Sequence, residues 1–291
     1  RAAVAAYREV LELVPAHAQA RTALERLLAA APEERGQIVE VLEPLFEQDG
    51  DAARLASVLE ARLTITEDAI DRASLLARIL ELAEERLGDR ARALDVALRW
   101  LAADPASEQA LAEIARLGER LGQWVEIGDR VAAIVRADDA LARDADVQVE
   151  LLVFLGRVQR ERLGQLDDAA ASLRAALELE PTSMDALDEL ITILRQRGAH
   201  GDDRLALAEA LRQRGRNASD LADRRAAYAE VAAVCEGAGD RAGAIAAWRE
   251  IAELDDQDRT ALDELARLRR EAGATAELVE VLLRATGLAS S

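Results

Sequence analysis

Lysine is missing altogether: all 37 basic residues of the chain are Arg. That removes Schiff-base and Walker-type chemistry, both of which need a lysine amine, and it fits a GC-rich, bacterial coding sequence. The single Cys235 cannot close an intrachain disulfide, and two histidines, His17 and His200, cannot build a structural zinc site. Aromatic residues make up only 2% of the chain, and no run of β-branched residues alternates between turn dipeptides, so strands are not expected. No apolar stretch approaches the roughly 18 residues that span a bilayer, and the N-terminus lacks a signal-peptide pattern. Membrane insertion is therefore not expected, and a cytoplasmic location is. Basic charge is also short: 37 basic against 56 acidic residues gives a formal net charge of -19. Such a field repels phosphate backbones and anionic membranes, which argues against nucleic acid as a partner.

What the chain has is small and aliphatic. Hydrophobic residues make up 51%, dominated by Ala, Leu and Val, a composition suited to closely packed helices. The stretch GQLDDAAASLRAALELEP from Gly164 to Pro181 reads as a Gly turn, a helix with small residues Ala169 and Ala176 on one face, and a Pro stop. Its punctuation returns. Glycines that close one helical pattern and precede another stand at 50, 88, 122, 164, 198, 239 and 273, with spacings of 38, 34, 42, 34, 41 and 34. A strict 34 alternating with a longer step makes the unit a pair of helical hairpins of about 75 residues, each burying its apolar face on its neighbours.

Offsets from those glycines carry a resemblance to the tetratricopeptide repeat. Five residues on stand Ala93, Ala169 and Ala244, with Ala3 in a truncated first copy. Seventeen on stand Pro105 and Pro181, with Pro15 in the truncated copy and Asp256 as a departure. Trp248 and Tyr7 take the aromatic position nine residues on, where Ala97 and Leu173 depart, and Trp124, Phe46 and Tyr228 fall on other aromatic positions of the family. The second hairpin of each pair is weaker, with Leu55, Ile127 and Leu278 replacing the Ala, and the motif ERLG before Gly88 and Gly164 adds one residue. The resemblance implies an all-α solenoid of antiparallel helical hairpins, a right-handed superhelix running as one array through residues 1–291 and starting mid-repeat. Regular helices are expected from about residue 69 onward, with Asp167, Ser183, Ser219 and Asp240 as N-caps. Pro32 and Pro44 predict an irregular, bent segment over about 30–50, since a proline inside a helix costs about 3 kcal/mol.

A search for chemistry returns bland readings. The adjacent acids Glu84-Glu85, Asp138-Asp139 and Asp167-Asp168 point about 100° apart on a helix and read as solvated faces. His17 and His200 read as surface residues, Cys235 as a small core hydrophobe beside Tyr228, Val231 and Ala232, and Trp100 as a filler for the space left by Ala97. The sequon at Asn217 reads as a turn. No catalytic residue, cofactor site or metal site is expected; the chain reads as a non-enzymatic scaffold that takes a peptide or helix of another protein in a concave groove.

Relatives with this architecture can grip a terminal carboxylate with Lys and Asn; the corresponding positions here lack that clamp. They carry mixed charge instead: Gln109, Arg116 and Arg120 in one repeat, Asp185, Asp188 and Arg195 in another, Asp263, Arg267 and Arg270 in a third. These nine residues are the candidate partner-binding groove, and the net charge makes a basic segment the expected ligand. The ends suggest an alternative, a module that stacks end to end, because Val4, Tyr7, Val10 and Leu11 at one end and Leu278, Val281, Leu282 and Leu288 at the other read as exposed apolar stripes.

Overall fold

The computed structural model of the chain describes residues 2–137, 144–198 and 202–289. Among them are sixteen α-helices and no strand. Two compact units divide the chain, Arg1–Ile134 and Val135–Ser291.

The first unit holds α1 (Ala2–Leu13), α2 (Ala18–Ala30), α3 (Arg35–Asp49), α4 (Ala52–Leu63), α5 (Ala69–Glu81), α6 (Arg90–Ala103), α7 (Glu108–Leu121) and most of α8 (Trp124–Ala137). Each helix from α1 to α7 packs on the next in sequence. Its interior is aliphatic, with Leu24, Ile38, Leu42, Leu59, Ile79, Leu98 and Ile114 wholly buried around the one fully buried aromatic, Phe46.

The second unit continues with α9 (Ala145–Glu161), α10 (Leu166–Leu179), α11 (Met184–Gln196), α12 (Asp202–Asn217), α13 (Leu221–Gly237), α14 (Arg241–Leu254), α15 (Arg259–Glu271) and α16 (Thr275–Ala289). Successive helices again pack pairwise, and α9 also touches α11. This is the all-α helical-repeat class expected from the spacing. Ala93, Ala169 and Ala244, the small residues five places after their glycines, have no exposed surface, so neighbouring backbones approach closely there.

All seven register glycines adopt positive φ, between 67° and 81°, and no other glycine is so placed among the described residues. Left-handed backbone costs an L-residue about 1–2 kcal/mol, which is why glycine ends each first helix. Four of these hairpins close conventionally, the amide after the glycine reaching back five residues, as Asp51 to Phe46 (3.1 Å), Asp240 to Cys235 (2.8 Å) and Ala274 to Arg269 (3.0 Å) do, or the glycine amide reaching back four, as Gly122 does to Gly118 (2.8 Å). The two ERLG turns are one residue wider. Asp89 reaches back six to Ala83 and Gln165 back six to Gln159, both at 2.8 Å. Before Gly88 the extra residue is absorbed as a π turn, Leu82–Arg86.

Helix starts are capped mostly by Asp and Ser side chains. Ser183 and Asp240 accept the amides of Ala186 and Gly243, as expected. Two expected caps move: Asp220, not Ser219, caps α13, and α10 follows Gln165 without a side-chain cap, leaving Asp167 and Asp168 in its first turn, where they face the positive end of the helix dipole. His17 has a role beyond surface exposure, its Nδ1 accepting the Ala20 amide (3.2 Å) at the start of α2. Between α2 and α3 lies a 3-10 turn, Pro32–Glu34, and α3 then runs through Pro44 as one helix. Glu40, whose carbonyl loses its usual donor to the proline, borders an open cavity.

Candidate partner-binding groove

Each hairpin contributes a first helix, the one that its register glycine closes. Within each unit, neighbouring first helices are joined by Arg–carboxylate pairs. In the first unit Arg78 of α5 donates to Glu43 and Glu47 of α3 at 2.8 and 2.7 Å. One step on, Glu84 in the π turn accepts from both terminal nitrogens of Arg116 on α7, one of them at 2.8 Å, and from Arg120 at 3.2 Å. In the second unit Glu189 of α11 accepts from Arg157 and Arg160 of α9 at 2.9 and 2.7 Å. Glu230 of α13 takes Arg195 of α11 at 2.9 and 2.6 Å, and Glu236 takes Arg267 of α15 at 2.7 Å.

These pairs are unequal. Half-exposed ones such as Arg195–Glu230 contribute about 0.2–1 kcal/mol. Glu84, with a side chain 13% exposed, holds Arg116, Arg120 and, at 3.9 Å, Arg90, and Glu189, 14% exposed, holds Arg157 and Arg160; both stand at the upper end of that range or above it. The hydrogen bond from Arg116 holds the Glu84 carboxyl below the ordinary carboxylate range against the opposing effect of burial, and Glu84 in turn raises the Arg116 guanidinium. Glu60 is lowered in the same way by Arg99, and Asp258, the buried cap of α15, by Arg225 and the Ala261 amide.

Open cavities lie between the first helices. One of about 500 Å3 in the first unit is walled by Arg78, Glu81 and Glu85 on the α5 arm, Gln109 and Arg116 on α7, and Trp100 of α6. Another of about 380 Å3 in the second unit is walled by Asp188, Thr192 and Arg195 of α11, Arg214 of α12, and Asp223 and Glu230 of α13. Trp100 fills core space as its neighbour Ala97 suggested, being 4% exposed, yet its indole Nε1–H is buried without an acceptor. An unmade hydrogen bond of this kind costs about 1–3 kcal/mol.

The candidate residues separate accordingly. Gln109 and Arg116 come together in the first cavity, with Arg120 alongside on Glu84; Asp188 and Arg195 come together in the second. Arg267 is held by Glu236, Glu264 and Glu271, while Asp185, Asp263 and Arg270 are exposed and make no ion pair among the described residues. Arg116, Arg195 and Arg267 thus bridge neighbouring hairpins, which the sequence did not show. Glu84 is not solvated as its acidic neighbour suggested, although Glu85 is. The signal lay 32 residues downstream, in Arg116, and needed the stacking distance to be read.

Chemistry remains sparse. Among the described residues no group of three or more His, Cys, Asp and Glu is placed to hold a metal ion. Cys235 is buried, and burial pushes its thiol up, away from the thiolate. The Asn217 side chain donates to the Pro181 carbonyl at 3.1 Å. No described helix is long and apolar enough to cross a membrane. His200 and Asp138-Asp139 lie outside the described residues.

No family model matches the chain, and no curated protein does. Solved structures are similar to it at low identity. The crystal structure of MamA is 18% identical over 71% of this chain and 92% of its own, with a TM-score of 0.33. The C-terminal part of a TPR repeat-containing protein from Cytophaga hutchinsonii is 14% identical over 89% of this chain and 98% of its own, with a TM-score of 0.41. A monomeric mutant of IFIT1 with Gppp-AAAA is 13% identical over 97% and 89%, with a TM-score of 0.30. The helical-repeat assignment rests on the chain's own hairpins and register glycines.

The expected apolar stripe of α1 is not free: Val4 and Leu11 are buried within the first unit and Tyr7 and Val10 are half-buried, because α1 packs on α2 and α3. On α16, Leu278 and Val281 are half-buried whereas Val279, Leu282 and Leu283 are exposed; the side chain of Leu288 lies outside the described residues.

Proposed function

We propose that the chain is a non-catalytic scaffold that seats a basic peptide or helix of a partner protein along its first helices. The observation that supports this most is the division of labour among the charges there. Arg116, Arg195 and Arg267 are already satisfied by carboxylates of the chain itself, whereas Glu81, Glu85, Asp185, Asp223 and Asp263 have no cation among the described residues. Three of these, Glu81, Glu85 and Asp223, line the cavities, and with the net charge of -19 they favour a cationic ligand.

A random-peptide display library panned against the full chain tests the reading. Enriched sequences should carry Lys or Arg, and their affinity should fall as salt rises from about 0.05 to about 0.5 M, across which screening shortens several-fold. Asp185→Arg should slow association more than it speeds dissociation; Asp188→Arg is less clean because Asp188 also pairs with Arg214 at 2.5 Å. Enrichment of neutral or acidic sequences alone, or salt-independent binding, would sink it.

A second reading has its own observation, the exposed Val279, Leu282 and Leu283 on α16, which suit end-to-end association. Sedimentation of the chain with Leu282→Glu separates the two: loss of self-association without loss of peptide binding assigns the face to assembly.

A further inference from the structure

Each cavity lies between two successive first helices and the second helix that joins them. Because the π turn before Gly88 adds one residue, Leu80 and Glu81 of one wall match Ile191 and Thr192 of the other, with Glu85 near the place of Arg195; nine before the next glycine stand Glu113 and Glu230. On the second helix one wall carries Trp100, the other Leu211 and Arg214. Equivalent walls thus differ in a directed way. Where the α5–α7 cavity carries Glu81 and Glu85, uncommitted among the described residues, the α11–α13 cavity carries Thr192 and Arg195, the latter paired with Glu230. The α5–α7 cavity also holds the Trp100 indole, whose donor is buried and unmatched among the described residues.

Three features of the α5–α7 cavity converge. Glu81 and Glu85 are one helical turn apart on the same face, a like-charge arrangement that helices avoid unless a cation relieves it. Arg78 and Arg116, the basic groups of the wall, cannot relieve it, since Arg78 is committed to Glu43 and Glu47 and Arg116 to Glu84 and Glu113. The π turn Leu82–Arg86 supplies Glu84 and Glu85, and π turns recur at functional sites because they redirect side chains relative to the helix before them.

We propose that the α5–α7 cavity is a seat for one Arg or Lys side chain of an extended partner segment. Its charged head sits between Glu81 and Glu85, and a main-chain carbonyl of the same segment, met by a tilt of the indole toward the cavity, accepts the Trp100 Nε1–H. The seat rests on the scaffold reading and narrows it to a side-chain class and a place.

The test uses the full chain and acetylated, amidated Ala/Ser peptides carrying one central Arg, or citrulline, its neutral isostere, in the same place. Titrations are followed by calorimetry and by the indole N–H resonances, with Trp100 assigned through Trp100→Phe. The Arg probe should bind about tenfold or more tightly than the citrulline probe, as expected for a charge-assisted contact, and should move the Trp100 indole resonance. Glu81→Gln/Glu85→Gln, a surface pair whose fold is checked by circular dichroism, should remove that preference, while Asp223→Asn in the other cavity should leave it intact. Equal binding of the two probes, an unchanged preference in Glu81→Gln/Glu85→Gln, or no binding of the Arg probe overturns the seat. If library-selected basic peptides still bind when it fails, the scaffold reading stands without it; if they too fail, both fall.

Discussion

One substitution, Gly→Ala, made at three places in the second unit should give three different results. In mid-helix the replacement gains about 1 kcal/mol from propensity. Gly156 lies inside α9, and a Cβ there would stand 2.9 Å from Cγ of Leu173 and 3.1 Å from its Cδ2, with the Ala169 carbonyl at 3.5 Å. Leu173 has no exposed surface, and its Cγ is too near its own backbone to swing aside. Overpacking of a tight core costs about 1–3 kcal/mol, and contacts this short take the upper half, so Gly156→Ala should lose about 1–2 kcal/mol net. Gly164, with φ of 67° and open space around it, has strain alone to overcome: about 1–2 kcal/mol, offset in part by the lower entropy of the unfolded chain, for a net loss of about 1 kcal/mol. Gly237 ends α13 with nothing within 4 Å and no positive φ, so Ala there should gain a few tenths of a kcal/mol. Urea unfolding followed at 222 nm gives the order directly from midpoints at constant slope. A Gly156→Ala protein as stable as the parent would show that α9 and α10 are not in contact through that glycine.

Further expectations follow from charge and caps. Glu81→Gln/Glu85→Gln should raise stability by about 0.2–0.5 kcal/mol by removing a like-charge pair, measured by the same titration. Asp258→Ala should cost about 1–2 kcal/mol, since it removes the α15 cap and leaves Arg225 without its partner; a loss near zero would refute the cap. Glu84, Glu60 and Asp258 have carboxyls lowered in the folded state, so their contribution is full above the unfolded carboxylate range near pH 4 and is lost as pH falls through the lower folded values. Thermal unfolding should therefore weaken steeply below about pH 4, and midpoints flat to pH 2 would count against these pairs. Cys235 should react with a thiol reagent only at the rate of unfolding, given its burial.

The repeat was legible because glycine at a left-handed turn is a local requirement: seven glycines chosen by spacing are the seven with positive φ among the described residues. Helix ends followed within a few residues for the same reason. The shift of a cap from Ser219 to Asp220 lies within what adjacent cap formers allow. Other features depended on distances between hairpins. Nothing in the sequence near Glu84 says that Arg116 will reach it, or that Glu81 and Glu85 will lack a partner while Arg195 in the other unit finds one. The burial of Val4 and Leu11 was missed because α2 and α3 supply the surface that a preceding helix was expected to supply.

The wide turns at Gly88 and Gly164 have a consequence for how such a chain can change. A one-residue insertion in a helix ordinarily rotates everything after it by 100°. Here the surplus residue ends in a loop of hydrogen bonds that closes six residues back instead of five, and the next glycine still follows at the shortest interval, 34. Length and phase are uncoupled at that point. The rim of a first helix can thus gain or lose a residue, and with it a new side chain over the groove, while every hairpin downstream keeps its place.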